Sequence, residues 1–379
     1  MPWERLDLPL KISLTNAGVE WFAKNHKMLK RLQMADNWLT YGIAVDTVTA
    51  SSLRKMINVD YIASVELARS EFSSKSSEII DLTKLIIHRI LFKKFENETF
   101  RVLVSSALIT RWNSQNPGRR IDMDTQYNQS QIDTLFASAA AEISAVSRDI
   151  QAPLLHKHVS NEALSDEDRR LRVHLSDGFA RSASRLLWCV LTKSRGQPEY
   201  GSLILQLRVM LEHYIEKALV SEYLALMVVE LLEFAEVSHY QQIAWLLRGR
   251  RNAQMADEPM RAEVRRHMQA KGDTFSLTYH PGSRGASIGA DHRLRVTIQE
   301  QGYQIVKAQL EALMAIDAKE HSLPRLPRQK TGHHSRSELG LHNLSFLRKE
   351  CQKKDVGVEI SLNTIPRTDL TLLNLAFQL

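Results

Sequence analysis

The chain is poor in cysteine, proline and glycine, with 2, 10 and 15 of each among 379 residues. Cys189 and Cys351 stand far apart, without CxxC or Cys/His spacing of zinc type. That excludes a disulfide framework or thiolate cluster as organiser and fits a reducing compartment. Scarce turn formers disfavour a turn-rich all-β architecture and favour long helices. Strongly apolar runs such as residues 223–232 fall far short of a membrane span, so none is expected. Residues 1–14 lack an apolar stretch of signal-peptide type, and no transit peptide is visible. What is present is globular: 44% hydrophobic and 25% charged residues, ample for a sizeable core. The net charge of +7 admits nucleic acid or an acidic surface as partner without requiring either.

The first half reads as successive helices. Val19, Phe22, Ala23, Met28, Leu29 and Leu32 share one helical face before a break at 36–42, and amphipathic stretches follow at 50–67, 79–95 and 99–112. Ile132, Leu135, Phe136, Ala139, Ile143, Val146 and Ile150 alternate steps of three and four, the stripe of a bundle helix. Leu171, Leu175, Phe179, Leu186 and Val190 form the next apolar face, and 195–198 closes the segment. The second half changes character. Helices at 203–219 and 222–247 lead through a basic stretch to two alternating segments, 274–279 and 294–298, around a Gly-rich break. This spacing predicts an antiparallel pair. Helices near 304–316 and 341–354 and strands at 356–362 and 370–377 complete an α/β layer. The expected class is α+β: a four-helix-type bundle over 1–196, then an α/β sandwich over 197–379.

Five places in this order resemble the mitochondrial α-keto-acid dehydrogenase kinases, the pyruvate and branched-chain type of the histidine-kinase-like ATPase superfamily. His174-Leu-Ser-Asp-Gly-Phe-Ala-Arg-Ser-Ala-Ser-Arg-Leu-Leu187 resembles the family's L-D-x-F-Y-x-S-R-I-x-x-R-M-L bundle helix. Ser147-Arg-Asp-Ile-Gln-Ala-Pro153 lies where the family has R-H-N-D-V-I-P. Tyr223-Leu-Ala-Leu-Met-Val-Val-Glu-Leu-Leu-Glu-Phe-Ala235 is similar to the N-box helix, F-E-L-x-K-N-A. Residues 294–305 resemble the strand entering the D-x-G-G-G box, and Leu339-Gly-Leu341 and Pro366-Arg-Thr-Asp369 resemble the lid end and the terminal G-T-D turn.

The resemblance implies an ATP site, and its chemistry can be tested residue by residue. Glu230 stands at the place of the general base. Phe234 stands where an Asn would ligate magnesium, and a phenyl ring offers that hard ion no oxygen. Glu300 and Gly302 match the adenine-binding box, but Tyr303 and Gln304 replace glycines that let backbone wrap phosphates. Gly340 and Leu341 keep the lid end, Glu338 brings a negative charge toward it, and Arg367 precedes the retained Thr368. Phosphoryl transfer is largely positioning and metal electrostatics, so these losses predict a catalytically silent pseudokinase without a working ATP/magnesium cofactor. The alternative is a divergent active kinase acting on a Ser of a dehydrogenase component, with Glu230 as base. The resemblance also implies the mitochondrial matrix. The chain ends at Leu379, where the family's partner-crossing tail would begin, and homodimerisation stays open.

Positive charge clusters in the second half, at Arg248, Arg250, Arg251, Arg265, Arg266, Arg325, Arg328 and Lys330. Such clusters neutralise phosphates without reading sequence. RNA and an acidic protein both fit them, and the expected role is a structural or assembly subunit with protein partners in a larger complex. His156/His158 and His333/His334 have no Cys or carboxylate at useful spacing, so no metal site is expected.

Overall fold

The computed structural model describes residues 5–35, 38–123, 128–162, 164–248, 258–271, 274–282, 293–301, 340–365 and 370–379. The fold is α+β, and it divides into two compact units: residues 91–219, and residues 2–90 together with 220–379. The expected boundary after residue 196 therefore falls inside the helical unit, and the N-terminal ninety residues go with the sheet.

Those N-terminal residues are where the helical reading is corrected. They form β1 (Arg5–Leu6), β2 (Leu10–Leu14), α1 (Asn16–Lys24), β3 (Lys30–Gln33), β4 (Leu39–Val45), β5 (Val48–Thr49), α2 (Ala50–Asn58) and β6 (Ile62–Arg69). The segment 19–32 begins as a helix because the Thr15 side chain accepts from the Gly18 N–H. It stops because His26 takes a positive φ of 50°, which no helix interior tolerates. Leu32 then sits on a strand and Met28 is 81% exposed, so neither joins the helical face expected for them with Phe22. Asp60, at φ 56°, likewise separates α2 from β6 inside the expected 50–67 helix.

The rest of this unit comprises the start of α3 (Ser76–Val104), α10 (Ser221–Arg248), α11 (Glu258–Lys271), β7 (Phe275–Gly282), β8 (Arg293–Gln301), α12 (Gly340–Gln352), β9 (Gly357–Ile365) and β10 (Leu370–Gln378). Eight strands make one sheet in the order β3-β4-β2-β6-β7-β8-β10-β9, and each described pairing is antiparallel. β2-α1-β3-β4-α2-β6 is a βαββαβ run of ferredoxin-like order. Reading outward from the centre, β7-β8-β10-β9 repeats the pattern of β6-β2-β4-β3, with the strand at the centre now first in sequence rather than last. The sheet is thus two like halves, the second circularly permuted, joined at β6–β7.

Register sorts its two faces. Ile12, Val65, Tyr279, Val296 and Leu375 lie in one cross-strand row and are buried. Lys11, Glu66, Thr278, Thr297, Asn374 and Ser361 form the neighbouring row on the opposite face. α3 meets the apolar face through a 2.6 Å hydrogen bond between the Thr83 and Tyr279 hydroxyls, and α10 through His239, whose ring lies 5.1 Å from that of Phe275. The buried phenol therefore has the partner that burial demands.

The helical unit contains the end of α3 with α4 (Ala107–Gln115), α5 (Gln129–Ser138), α6 (Ala140–Val159), α7 (Asp166–Ser182), α8 (Arg185–Ser194) and α9 (Tyr200–Leu219). Its core is aromatic: Phe95 lies 5.1 Å from both Phe179 and Tyr214, and Phe179 lies 6.1 Å from Trp188. The stripe expected to run unbroken over 132–150 divides at Ala139. Ile143, Val146 and Ile150 face the core from α6, whereas Leu135 on α5 is 42% exposed.

Candidate functional site

β3, one of the two end strands of the sheet, pairs with β4 through Lys30↔Gly42, Arg31↔Tyr41, Leu32↔Thr40 and Gln33↔Leu39. Directly opposed residues share a face, so Arg31 and Tyr41 lie side by side, as do Gln33 and Leu39. Four large apolar side chains are exposed here: Met28 at 81%, Trp38 at 74%, and Leu39 and Tyr41 at 56% each. Fully burying a wholly exposed side chain of this kind contributes about 1.5–3 kcal/mol, and the half-exposed Leu39 and Tyr41 gain less; such a group around one hairpin marks an interaction surface. Around them stand exposed Lys24, Lys27, Lys30 and Arg31, with the Lys27 ammonium 4.4 Å above the Trp21 ring.

The hairpin is fixed from beneath. Glu66 on β6, buried, accepts the Ala35 N–H at 2.7 Å on one oxygen and the Lys11 ammonium at 3.2 Å on the other. Lys11 on β2 also donates to the Gln33 carbonyl at 2.8 Å, and the Met34 N–H closes the turn onto the Trp38 carbonyl. A buried carboxylate needs such donors to offset lost hydration. Here they come from the turn, so the central strands hold the edge hairpin in place. Leu32 folds over Gly42, where no side chain could fit.

A second polar cluster lies in the same unit, at the turn from β6 into α3. Glu236 on α10 accepts the Phe72 N–H at 2.8 Å and the Ser73 N–H at 3.1 Å on one oxygen, and the Ser73 hydroxyl at 2.9 Å on the other. That hydroxyl lies 3.0 Å from Glu71, whose carboxylate meets Arg265 of α11 at 3.3 Å. Arg265 also binds Glu258 at 2.6 Å, and the Tyr240 hydroxyl donates to the Ser70 carbonyl at 3.1 Å. Burial pushes the Glu236 carboxyl above its ordinary value against the pull of its hydrogen bonds, and nearby Glu71 adds to the rise. Chemically this cluster can hold a proton and tie two helices to a turn.

The residues singled out from the sequence scatter. Glu230 and Phe234 are half-buried on α10, which packs against α12, the helix that starts at Gly340 and Leu341. Glu300 lies on β8 opposite Thr371. Arg265 is engaged with Glu71 and Glu258, while Arg266 is exposed and returns its Nε to the Ala262 carbonyl of its own helix. Arg248 ends α10. Gly302, Arg250, Arg251, Arg325, Arg328, Lys330 and Thr368 lie outside the described residues. Among the described residues, no group of three or more His, Cys, Asp or Glu is placed to hold a metal ion, and no helix is long and apolar enough to cross a membrane. The hairpin is hidden in the sequence because its short apolar runs fit a helix followed by a break equally well. The visible signal was Trp38-Leu-Thr-Tyr41 beside basic Lys30-Arg31.

No solved structure matches the chain. A protein of Treponema pallidum (strain Nichols), described as an uncharacterized protein, is 27% identical over 379 residues, spanning 98% of this chain and 97% of the relative. The family described as a family of unknown function (DUF8084) matches residues 3–379, and by that near-complete match the chain belongs to DUF8084.

Proposed function

We propose that this protein works by holding a partner rather than by turning over a substrate, and that the β3–β4 hairpin is its docking surface. One observation carries this: Trp38, Leu39 and Tyr41 are exposed on a hairpin that buried Glu66 holds in place, with exposed Met28 just before it. Rigid exposed aromatics are what interfaces use as anchors, because little conformational entropy is lost when they are covered. The test replaces Trp38 and Tyr41 together by Ser and compares what co-purifies with the intact chain, identified by mass spectrometry. A specific partner should be retained by the wild type and lost from the variant, with the two melting within ~2 °C of each other because exposed side chains contribute little to folding. The same partner on both proteins removes the hairpin from the role.

A second reading takes the sheet unit as a degenerate histidine-kinase-like ATPase lobe, a pseudokinase serving as an assembly subunit. It is favoured by the packing of α10 on α12, which sets the helix of Glu230 and Phe234 beside the one opening at Gly340. On this reading, the chain does not turn over ATP in the presence of magnesium. Turnover abolished by Glu230→Gln replaces it with the active-kinase alternative, and a calorimetric titration with ATP and magnesium that gives no heat removes that alternative.

A further inference from the structure

The chemistry of β3 narrows what the hairpin would hold. Among the described residues, β3 has a neighbouring strand on one side only, β4. A strand's outer edge presents backbone N–H and C=O groups, and recognition by strand addition uses them for affinity and alternate side chains for specificity. The short strand carries adjacent cations, Lys30 and Arg31, both exposed, with Lys24 and Lys27 nearby. Two copies of β3 brought together would place like charges across from one another, which is unfavourable. A nucleic acid could stack on Trp38 but could not take up strand pairing, and it would leave aliphatic Met28 and Leu39 without use.

We propose that β3 accepts an extended acidic segment of a partner protein as an added strand at the sheet edge. The inference rests on the docking reading above and adds the chemistry of the occupant. Lys30 and Arg31, consecutive on β3, point to opposite faces, so adjacent carboxylates of the incoming strand pair with one each, and an apolar side chain on Arg31's face lies toward the side of Tyr41 and Leu39. The Glu66–Lys11 tie means that β3 need not be ordered at the moment of binding, which removes one cost of association.

The test uses the full chain and a fluorescein-labelled peptide of alternating Glu-Glu and Val-Val pairs, which puts both residue types on each face, about eight residues long to match a typical strand. Saturable anisotropy is expected, weakened about tenfold by the double reversal Lys30→Glu, Arg31→Glu and by added salt. A peptide with Lys in place of Glu should not bind. One with a central Pro, which lacks the backbone donor, should bind markedly less. Equal binding of the proline peptide would show charge attraction alone and overturn strand addition. So would binding of an oligouridine probe in place of the peptide, or a concentration-dependent dimer in sedimentation that the charge reversals abolish. If the acidic peptide fails while a Trp38-dependent partner still co-purifies, strand addition falls and the docking reading stands. If both fail, both fall.

Discussion

A single methyl group added at Gly42 is expected to cost the sheet unit about 3 kcal/mol, at the upper end for overpacking. The Cβ of Gly42→Ala would lie 2.2 Å from the Ile12 carbonyl oxygen and 2.8 Å from Leu32 Cδ1. Leu32 can turn aside, but Ile12 is backbone on β2, paired with β4 on one side and β6 on the other. Moving it away disturbs both ladders, so the strain is not relieved by a rotamer change. Gly178→Ala is the control: nothing lies within 4 Å of its added methyl, and its place inside α7 predicts a gain of roughly 1 kcal/mol. Urea titrations of the three proteins measure both effects. A Gly42→Ala midpoint equal to that of the wild type would refute the close approach of β4 to β2.

The second large effect is at Glu236. Glu236→Ala leaves the Phe72 and Ser73 N–H groups without their acceptor, and Phe72 is buried, so a loss of about 3 kcal/mol is expected. Glu236→Gln should cost far less, because the amide oxygen can accept both N–H groups while its NH2 donates to the Ser73 hydroxyl. The pair also separates charge from shape. The folded-state pKa of Glu236 is raised above the ordinary 4.5, chiefly by burial, so the folded chain binds this proton more tightly than the unfolded chain. Its contribution to stability is then fully present below about pH 4.5 and is lost as pH rises through the raised folded value. Glutamine carries no such proton, so the Glu236→Gln stability curve should be flatter above pH 4.5 than the wild-type curve. Parallel curves from thermal melts across that range would contradict the assignment.

Such consequences of tertiary contact explain which parts of the molecule were legible beforehand. α3, α6, α9 and α10 are long, and their apolar spacing repeats over enough turns to exclude a strand. β7, β8 and β10 alternate cleanly, Leu277 and Tyr279 against Thr278, so their pairing could be expected. The N-terminal strands are short, and short apolar runs satisfy either period. The helical face expected for Phe22, Met28 and Leu32 gives way to α1, an exposed connection and β3. Glu66 was invisible as a site because a carboxylate between Val65 and Leu67 states nothing of the Ala35 N–H that it meets in space.

The residues alone establish an α+β protein of few cysteines, with helices over 91–219 and alternating strands after residue 274, because local periodicity and composition are properties of neighbouring residues. Tertiary structure alone decided that residues 5–90 join the C-terminal strands and that two ferredoxin-like halves meet at β6–β7. It likewise decided that an apolar, basic hairpin stands exposed at the edge. Pairing Val65 with Tyr279, and Glu236 with the Phe72 N–H, depends on groups far apart along the chain. Bringing them together closes long loops of chain, an entropic cost that no local pattern of residues reveals.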